Sequence, residues 1–243
     1  MKGLHMRFAQ IHGTIERRLL VNFRSDPEIV KKLLPTKFRP QIVKGQAMVG
    51  ICLIRLGSVR PRFIPRALGL SSENAAHRIA VEWDSPEGPQ VGVYVHRRDT
   101  SSYLSSLLGG RIFPGVHHRA KFEVRESDSE YYVSYRSSDG DTEVLVHGVP
   151  DRQLPESSVF ESVEQASEFF RLGSLGYSPG LKAHQHQGLQ LITEKWEVQP
   201  FTIQEVHSSF FSDKEKFPDG SIAFDNALLM LNLKHSWKVL KDL

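Results

Sequence analysis

Two alternating segments joined by a turn decide the fold: HRIAVEW at residues 77–83, DSPEGP at residues 84–89 and VGVYVH at residues 91–96. In the first and last segments, apolar side chains alternate with polar or small ones, which is typical of β-strands. Proline, glycine and acidic residues between them favour a turn. The sequence therefore predicts two neighbouring strands joined by a turn at this point.

Strand patterns also dominate on both sides of this pair. They predict further strands at residues 18–24, 47–56, 117–125, 131–136, 143–147, 188–198, 201–207 and 228–237. Helical patterns are few, at residues 26–35 and in a segment that starts at Ser162 and ends at Gly173. Because most strands are not followed by a helix, the pattern excludes a TIM barrel and a Rossmann domain. It predicts an α+β fold, mainly antiparallel β, as a barrel or a strongly curved sheet.

The composition bounds the class of protein. The 243 residues are 40% hydrophobic and carry 31 Lys or Arg against 28 Asp or Glu, a net charge of +3. Composition is even along the chain, so we expect a single domain over residues 1–243. No apolar run is long enough to span a bilayer and the N-terminus lacks a signal-peptide pattern, so we expect no membrane partner. Basic residues are interspersed with acidic ones, so we expect no nucleic-acid partner either.

The chain has one cysteine, Cys52, which excludes an intramolecular disulfide and fits a cytoplasmic location. The sequence also lacks a glycine-rich phosphate loop, a Gly-x-Ser-x-Gly elbow, a His-Glu-x-x-His motif and paired cysteines. We therefore expect neither phosphoryl transfer nor a familiar hydrolase, and no metal and no cofactor.

The densest polar cluster lies between residues 94 and 119. Arginine is suited to binding a carboxylate through two parallel hydrogen bonds. The cluster therefore predicts a pocket for an anion, and a solvated loop with structural salt bridges would explain it equally well. The substrate-binding candidates are Arg97, Arg98, Arg111 and His117.

Two further residues are candidates for acid or base chemistry. Alternation along the predicted strand puts His118 on the apolar face with Ala120, and His117 on the polar face with Lys121. An interior histidine can act as a general acid or base near neutral pH, or it can be a satisfied core residue. Glu73 precedes a predicted strand and could be a base, an arginine partner or a cap.

Several stretches together make the chain resemble a known group. They are residues 18–35, 50–55, 70–78, 97–102, 109–121, 207–211 and 228–237. On these stretches the chain resembles a bacterial family of uncharacterised proteins allied to the acetoacetate decarboxylases. The resemblance implies an acetoacetate decarboxylase-like, cone-shaped β-barrel with a few helices, whose interior holds the site.

The resemblance also implies which residues correspond. In the decarboxylase, a lysine forms a Schiff base with a β-keto acid and an adjacent lysine lowers its pKa. Here His117 and His118 follow the Gly-Arg element at nearly the same spacing. The pocket glutamate corresponds to Glu73, and the pocket arginine falls near Glu16 or Arg17.

Because an imidazole does not form a stable Schiff base as a primary amine does, we predict that the chain is not an acetoacetate decarboxylase. We expect it to bind a small acidic or oxo metabolite, with His118 and Glu73 as the catalytic pair of a lyase-type acid/base reaction. A non-catalytic binding or sensor protein on the same fold is the alternative, and a protein-interaction module is a third hypothesis. The resemblance also leaves a homo-oligomer open, because the decarboxylases assemble into large complexes.

Overall fold

Long strands form most of the chain. The computed structural model describes residues 11–61, 65–103, 115–180, 182 and 184–243. The thirteen strands within these residues are β1 (Ile11–Ser25), β2 (Arg39–Pro40), β3 (Ile42–Val43), β4 (Gln46–Pro61), β5 (Leu70–Ser85), β6 (Gly88–Thr100), β7 (His117–Glu126), β8 (Tyr131–Ser137), β9 (Glu143–Pro150), β10 (Leu175–Pro179), β11 (His186–Thr193), β12 (Gln199–Ser208) and β13 (Ile222–Val239).

The hairpin that the sequence pattern predicts is formed by β5 and β6. The two strands pair antiparallel from Asn74↔Thr100 to Ser85↔Gly88. Gly88 has a φ of 107°, a left-handed conformation that glycine adopts without strain. The short turn between the strands therefore matches the turn chemistry of the sequence.

The described helices are short and capped as their sequences predict. In α1 (Pro27–Lys32), the Asp26 side chain accepts a hydrogen bond from the Glu28 amide at 2.8 Å. In α2 (Val163–Leu172), the Ser162 hydroxyl accepts from the Gln165 amide at 3.2 Å, and Gly173 ends the helix. A short 3-10 helix covers Arg66–Leu68. Among the described helices, none combines the length and apolar character needed to cross a membrane.

The sheet curves until it closes on itself. Nine strands pair in the order β13-β1-β4-β5-β6-β7-β8-β9-β12 and back to β13. All of these pairings are antiparallel except β6 with β7. On one side, β10 and β11 form a second connection between β6 and β13. The predicted α+β class with a strongly curved, mainly antiparallel sheet is confirmed.

Alternation along the strands gives the ring two apolar layers. The inner layer draws side chains from strands all around the ring and includes Leu19, Ile51, Ile79, Val133 and Phe201. The outer layer lies between the β1–β4–β5–β13 part of the sheet and α2, and includes Leu20, Cys52, Phe170 and Met230. Burying each large apolar side chain stabilises the fold by roughly 1.5–3 kcal/mol. Successive side chains on these strands belong to the inner and outer layers in turn.

Candidate functional site

Four charged side chains meet on the inner side of the ring. The register sets Arg17 opposite Arg55, and Arg55 opposite Glu73, so these three stand side by side on β1, β4 and β5. Arg17 faces inward by alternation with Leu19, and the register shift between Ile15 and Arg17 turns Ile15 into the outer layer. Glu126, the last residue of β7, comes from the opposite side of the ring. We call Arg17, Arg55, Glu73 and Glu126 the glutamate network.

Hydrogen bonds close the glutamate network into a cycle of alternating charges. Glu73 accepts from Arg17 Nη2 at 2.5 Å and from Arg55 Nε at 2.6 Å. Glu126 accepts from Arg55 Nη1 at 2.6 Å and from Arg17 Nη1. Burial lowers the pKa of Arg55, but the hydrogen bond and charge of Glu73 outweigh it and leave that pKa raised. With two arginines and two glutamates, the network is balanced in charge and every carboxylate oxygen has a donor.

A second set of polar side chains lies beside it, on β6, β7, β8 and the turn that follows β8. Arg97 Nη2 donates to Asp99 at 2.9 Å and to Asp139 at 2.8 Å. The Tyr135 hydroxyl donates to Asp99 at 3.3 Å. His118 Nδ1 lies 2.9 Å from Asp139 Oδ2. We call Arg97, Asp99, His118, Tyr135 and Asp139 the aspartate network.

The pKa values of the two carboxylates in the aspartate network are shifted in opposite directions. Asp99 is buried, and burial raises its pKa against the hydrogen bond from Arg97. Burial also acts to raise the pKa of Asp139, but hydrogen bonds from Ser137 and Arg97 hold it far below its ordinary value. Asp139 is therefore the ionised carboxylate that His118 faces.

The contact with Asp139 orients the His118 ring. When Nδ1 donates to a carboxylate, the proton on Nδ1 is fixed and Nε2 is left as the nitrogen that exchanges protons. The His118 side chain is 37% exposed, so it borders open space as well as the network. This geometry is suited to a general acid or base.

The two networks are neighbours on one surface. Ala75 lies opposite Asp99, and Asp99 lies opposite His118, so Glu73 and His118 are two strands and about two residues apart. With strands about 4.8 Å apart and about 3.3 Å of rise per residue, their Cα atoms are roughly 12 Å apart. The small Ala75 side chain stands between the networks. Glu73 and His118 are therefore not bonded to each other, and each is held by partners of its own network.

The predicted site residues are divided between the two sides of the sheet. Glu73, Arg97 and His118 face inward, in the networks described above. Arg98 faces outward, opposite Ala76, and donates to the Ser178 hydroxyl at 2.9 and 3.1 Å. Arg111 lies outside the described residues. Glu73 and His118 thus share a surface but belong to separate networks, and Arg97 already binds carboxylates of the protein.

His117 also lies on the side of the sheet away from His118. Its Nδ1 is 3.0 Å from the Gly115 carbonyl oxygen. Burial and the neighbouring Arg98 charge lower the pKa of His117 to about 4. His117 is therefore neutral near pH 7 and offers no charge to an anion.

Sequence reasoning did not identify several members of the networks. Arg55 and Asp99 lie in stretches that carry the resemblance but are not singled out there, and Glu126 and Asp139 stand in no motif. The one available signal was strand alternation, which puts Arg55 on the same face as Ile51 and Leu53. Within the described residues, no group of three or more His, Cys, Asp or Glu side chains is arranged to hold a metal ion.

Comparison with known proteins supports the fold and gives a family. The family model DUF2071, described as "Uncharacterized conserved protein (COG2071)", matches residues 12–224. No curated protein sequence matches the chain.

Solved structures with a similar fold include three enzymes. Acetoacetate decarboxylase from Legionella pneumophila subsp. pneumophila str. Philadelphia 1 has a TM-score of 0.62 at 13% identity, covering 96% of this chain and 88% of that one. An acetoacetate decarboxylase-like enzyme from Sphingomonas wittichii RW1 has a TM-score of 0.57 at 12% identity, covering 97% and 94%. The enduracididine biosynthesis enzyme MppR complexed with pyruvate has a TM-score of 0.59 at 9% identity, covering 100% and 92%. At these identities the likeness concerns the fold, which is acetoacetate decarboxylase-like.

Proposed function

Because the chain belongs to the DUF2071 family and has the acetoacetate decarboxylase-like fold, we propose that it binds a small oxo acid on the inner side of its ring. The ligand would lie between the glutamate network and the aspartate network. One observation carries this proposal: each network has a partly exposed cationic or proton-donating member, Arg55 at 33% and His118 at 37%. The pyruvate complex of MppR supports a small oxo acid as the ligand class.

Arg55 is the proposed contact for the ligand's carboxylate or carbonyl oxygen. Its Nε and Nη1 donate to Glu73 and Glu126, and Nη2 is not used in those bonds. A guanidinium has five N–H donors, so donors remain for a ligand while the ion pairs persist. Glu73, with both oxygens occupied by arginine, holds Arg55 and Arg17 in position in this proposal.

His118 is the proposed proton-transfer group. Asp139 orients its ring, which leaves Nε2 to take up or release a proton at a carbon beside the ligand's carbonyl. This is lyase-type acid/base chemistry that needs no Schiff-base lysine. Lys121, the amine nearest in sequence, is exposed and stands opposite Arg136 on β8.

A non-catalytic binding or sensor protein is the second candidate. The charge balance of the glutamate network favours it, because both carboxylates are held by arginine and neither is available as a base. The two candidates share the binding site and differ only in turnover. The proposal also includes a single domain over residues 1–243, a cytoplasmic location, no nucleic-acid partner and a homo-oligomer.

Calorimetric titration with pyruvate, 2-oxoglutarate and acetoacetate tests the binding site. We expect Arg55→Met and His118→Ala each to weaken binding about tenfold or more, equivalent to one charged hydrogen bond of about 1.4 kcal/mol. The matched controls are Arg136→Met, from an exposed pair with Glu143, and His147→Ala, from an exposed pair with Glu130. Both controls should bind like the unmodified protein.

Product analysis then separates the two candidates. Loss of the bound oxo acid over time, seen by NMR and abolished in His118→Ala, would support an enzyme, whereas binding without turnover would support the sensor. Borohydride treatment with the ligand should leave the intact mass unchanged. A ligand-sized mass increase, or full affinity in both site variants, would contradict the proposal.

A further inference from the structure

Three arginines stand together on the outer side of the sheet, around Cys52. The register runs from Leu20 through Cys52 and Ala76 to Arg98 across β1, β4, β5 and β6. Arg18 and Arg78 are on the same face, each two residues away from this line in opposite directions, with Cys52 between them. We call Arg18, Arg78 and Arg98 the outer arginine cluster.

Two members of the cluster are buried and incompletely bonded. Arg18 is 7% exposed, and its Nε donates to Cys52 Sγ at 3.2 Å while its Nη1 has no partner. Arg78 is 5% exposed, and its Nη2 donates to the Asn22 amide oxygen while its Nε has no partner. Buried guanidinium donors without acceptors are costly, because a desolvated charge needs hydrogen bonds or an opposite charge.

No acidic side chain of the described chain forms an ion pair with any of the three arginines. The nearby carboxylate of Asp225 reaches Arg78 only indirectly, through the side chains of Asn226 and Asn22. It accepts hydrogen bonds directly from Arg24 and from the Val159 amide. Burial lowers the pKa of both Arg78 and Arg98 to about 10, so both remain charged near pH 7. Within the described residues, the cluster therefore concentrates positive charge without a counter-charge.

Aromatic rings bound the cluster on the side away from the sheet. The Arg78 guanidinium carbon lies 5.0 Å from the centre of the Phe170 ring of α2, and that of Arg18 lies 5.4 Å from Trp196. The floor between the arginines is made of the small side chains Cys52 and Ala76. Arg98 is the least buried of the three by surface area and donates to the Ser178 hydroxyl, so it marks the edge of the cluster.

We propose that the outer arginine cluster binds a small oxyanion with two negative charges, a phosphate group or a dicarboxylate. Guanidinium groups bind both kinds of oxyanion through paired hydrogen bonds. The unpartnered donors of Arg18 and Arg78 supply those bonds, and the aromatic rings exclude water around them. This site is separate from the inner one, because adjacent residues such as Arg97 and Arg98 point to opposite sides of the strand.

Cys52 provides the test, because it is the only cysteine of the chain, is 3% exposed and bonds to Arg18, so its modification reports opening of the cluster. The rate of N-ethylmaleimide modification is measured with inorganic phosphate, malonate or chloride at matched ionic strength. A ligand at ten times its dissociation constant should slow the reaction about tenfold, because only the empty site reacts. Protection by phosphate alone or malonate alone would identify the group that binds.

Variants assign the protection to the cluster. Arg98→Met removes the cation at the edge of the cluster, and Arg78→Lys keeps the charge but removes the planar guanidinium. In each variant most of the protection of Cys52 should be lost. Arg136→Met and His118→Ala should keep it, and the second separates this site from the inner one. Equal rates in phosphate, malonate and chloride, full protection in Arg98→Met, or lost protection in His118→Ala would each overturn the proposal.

Discussion

The protonation state of His77 is fixed by its surroundings. The side chain is fully buried, with the rings of Phe210 and Phe211 centred 5.0 and 5.6 Å away. Its Nε2 lies 3.2 Å from the Ser208 hydroxyl, and its Nδ1 has no partner. Burial, followed by the charge of Arg97, lowers the pKa of His77 to about 3. The folded protein therefore holds His77 in its neutral form, because the surrounding side chains do not solvate a charged imidazolium.

This pKa predicts a pH dependence of stability. The unfolded histidine, with a pKa of 6.5, takes up a proton first as the pH falls. The stability that neutral His77 contributes is complete above pH 6.5 and is lost between about 6.5 and 3, at up to about 1.4 kcal/mol per pH unit. In His77→Gln, urea unfolding measured at several pH values should show a shallower loss across this range. Ser208→Ala removes the same hydrogen bond but keeps the titrating ring, so it should retain the wild-type slope; equal slopes in both variants would contradict the assignment.

The sequence predicts single side chains well where one alternation rule applies. Alternation correctly put His118 with Ala120, on the inner face of β7. The same rule separates Arg97 from Arg98 and His117 from His118, because successive residues of a strand point to opposite faces. A cluster that is dense in sequence therefore supplies two surfaces in the fold. Residue spacing alone predicts one pocket from this cluster, because spacing does not show which face of the sheet each side chain takes.

Most predicted strands lie in the right places but are too short. The strand predicted at residues 188–198 is instead too long, since it ends at Thr193, and β10 is not predicted at all. Residues 18–24 and 47–56 were expected to form strands, and the structure extends them to Ile11–Ser25 and Gln46–Pro61. Register shifts between Ile15 and Arg17 and between Leu56 and Val59 break the alternation where the predictions stop. Ser58 lies in the second shift with a φ of 53°, which no strand pattern anticipates. Capping residues defined α2 more reliably, because Ser162 and Gly173 mark its ends directly.

The assembled ring creates contacts that no local pattern contains. Arg17 and Glu126 are separated by 109 positions and come from strands on opposite sides of the ring. Their ion pair, with the bonds of Arg55 to Glu73 and Glu126, ties β1, β4, β5 and β7 together across the interior. Only closure of the sheet brings Glu126 to this point. The resemblance indicates Glu73 and, loosely, Arg17, but no sequence pattern indicates that Glu126 joins them.

Removing the charge of Glu126 tests this cross-ring tie. Glu126→Gln leaves the buried Arg17 with one carboxylate fewer, and breaking such a pair should cost about 3–5 kcal/mol of unfolding free energy. Glu143→Gln, which disrupts the exposed pair with Arg136, should cost less than about 1 kcal/mol. Guanidinium chloride unfolding measures both. Equal losses in the two variants would show that the network does not hold the ring together.

The most direct test of the proposed function is to observe His118 while an oxo acid binds. In protein labelled with ¹⁵N-histidine, pyruvate is titrated and the ring nitrogen signals are followed by NMR, with His118→Ala used to assign the His118 signals. We predict a saturable shift at His118, with the signals of His147 unchanged. Binding of pyruvate that leaves the His118 signals unmoved, or no binding of any oxo acid tested, would contradict a ligand site on the inner side of the ring.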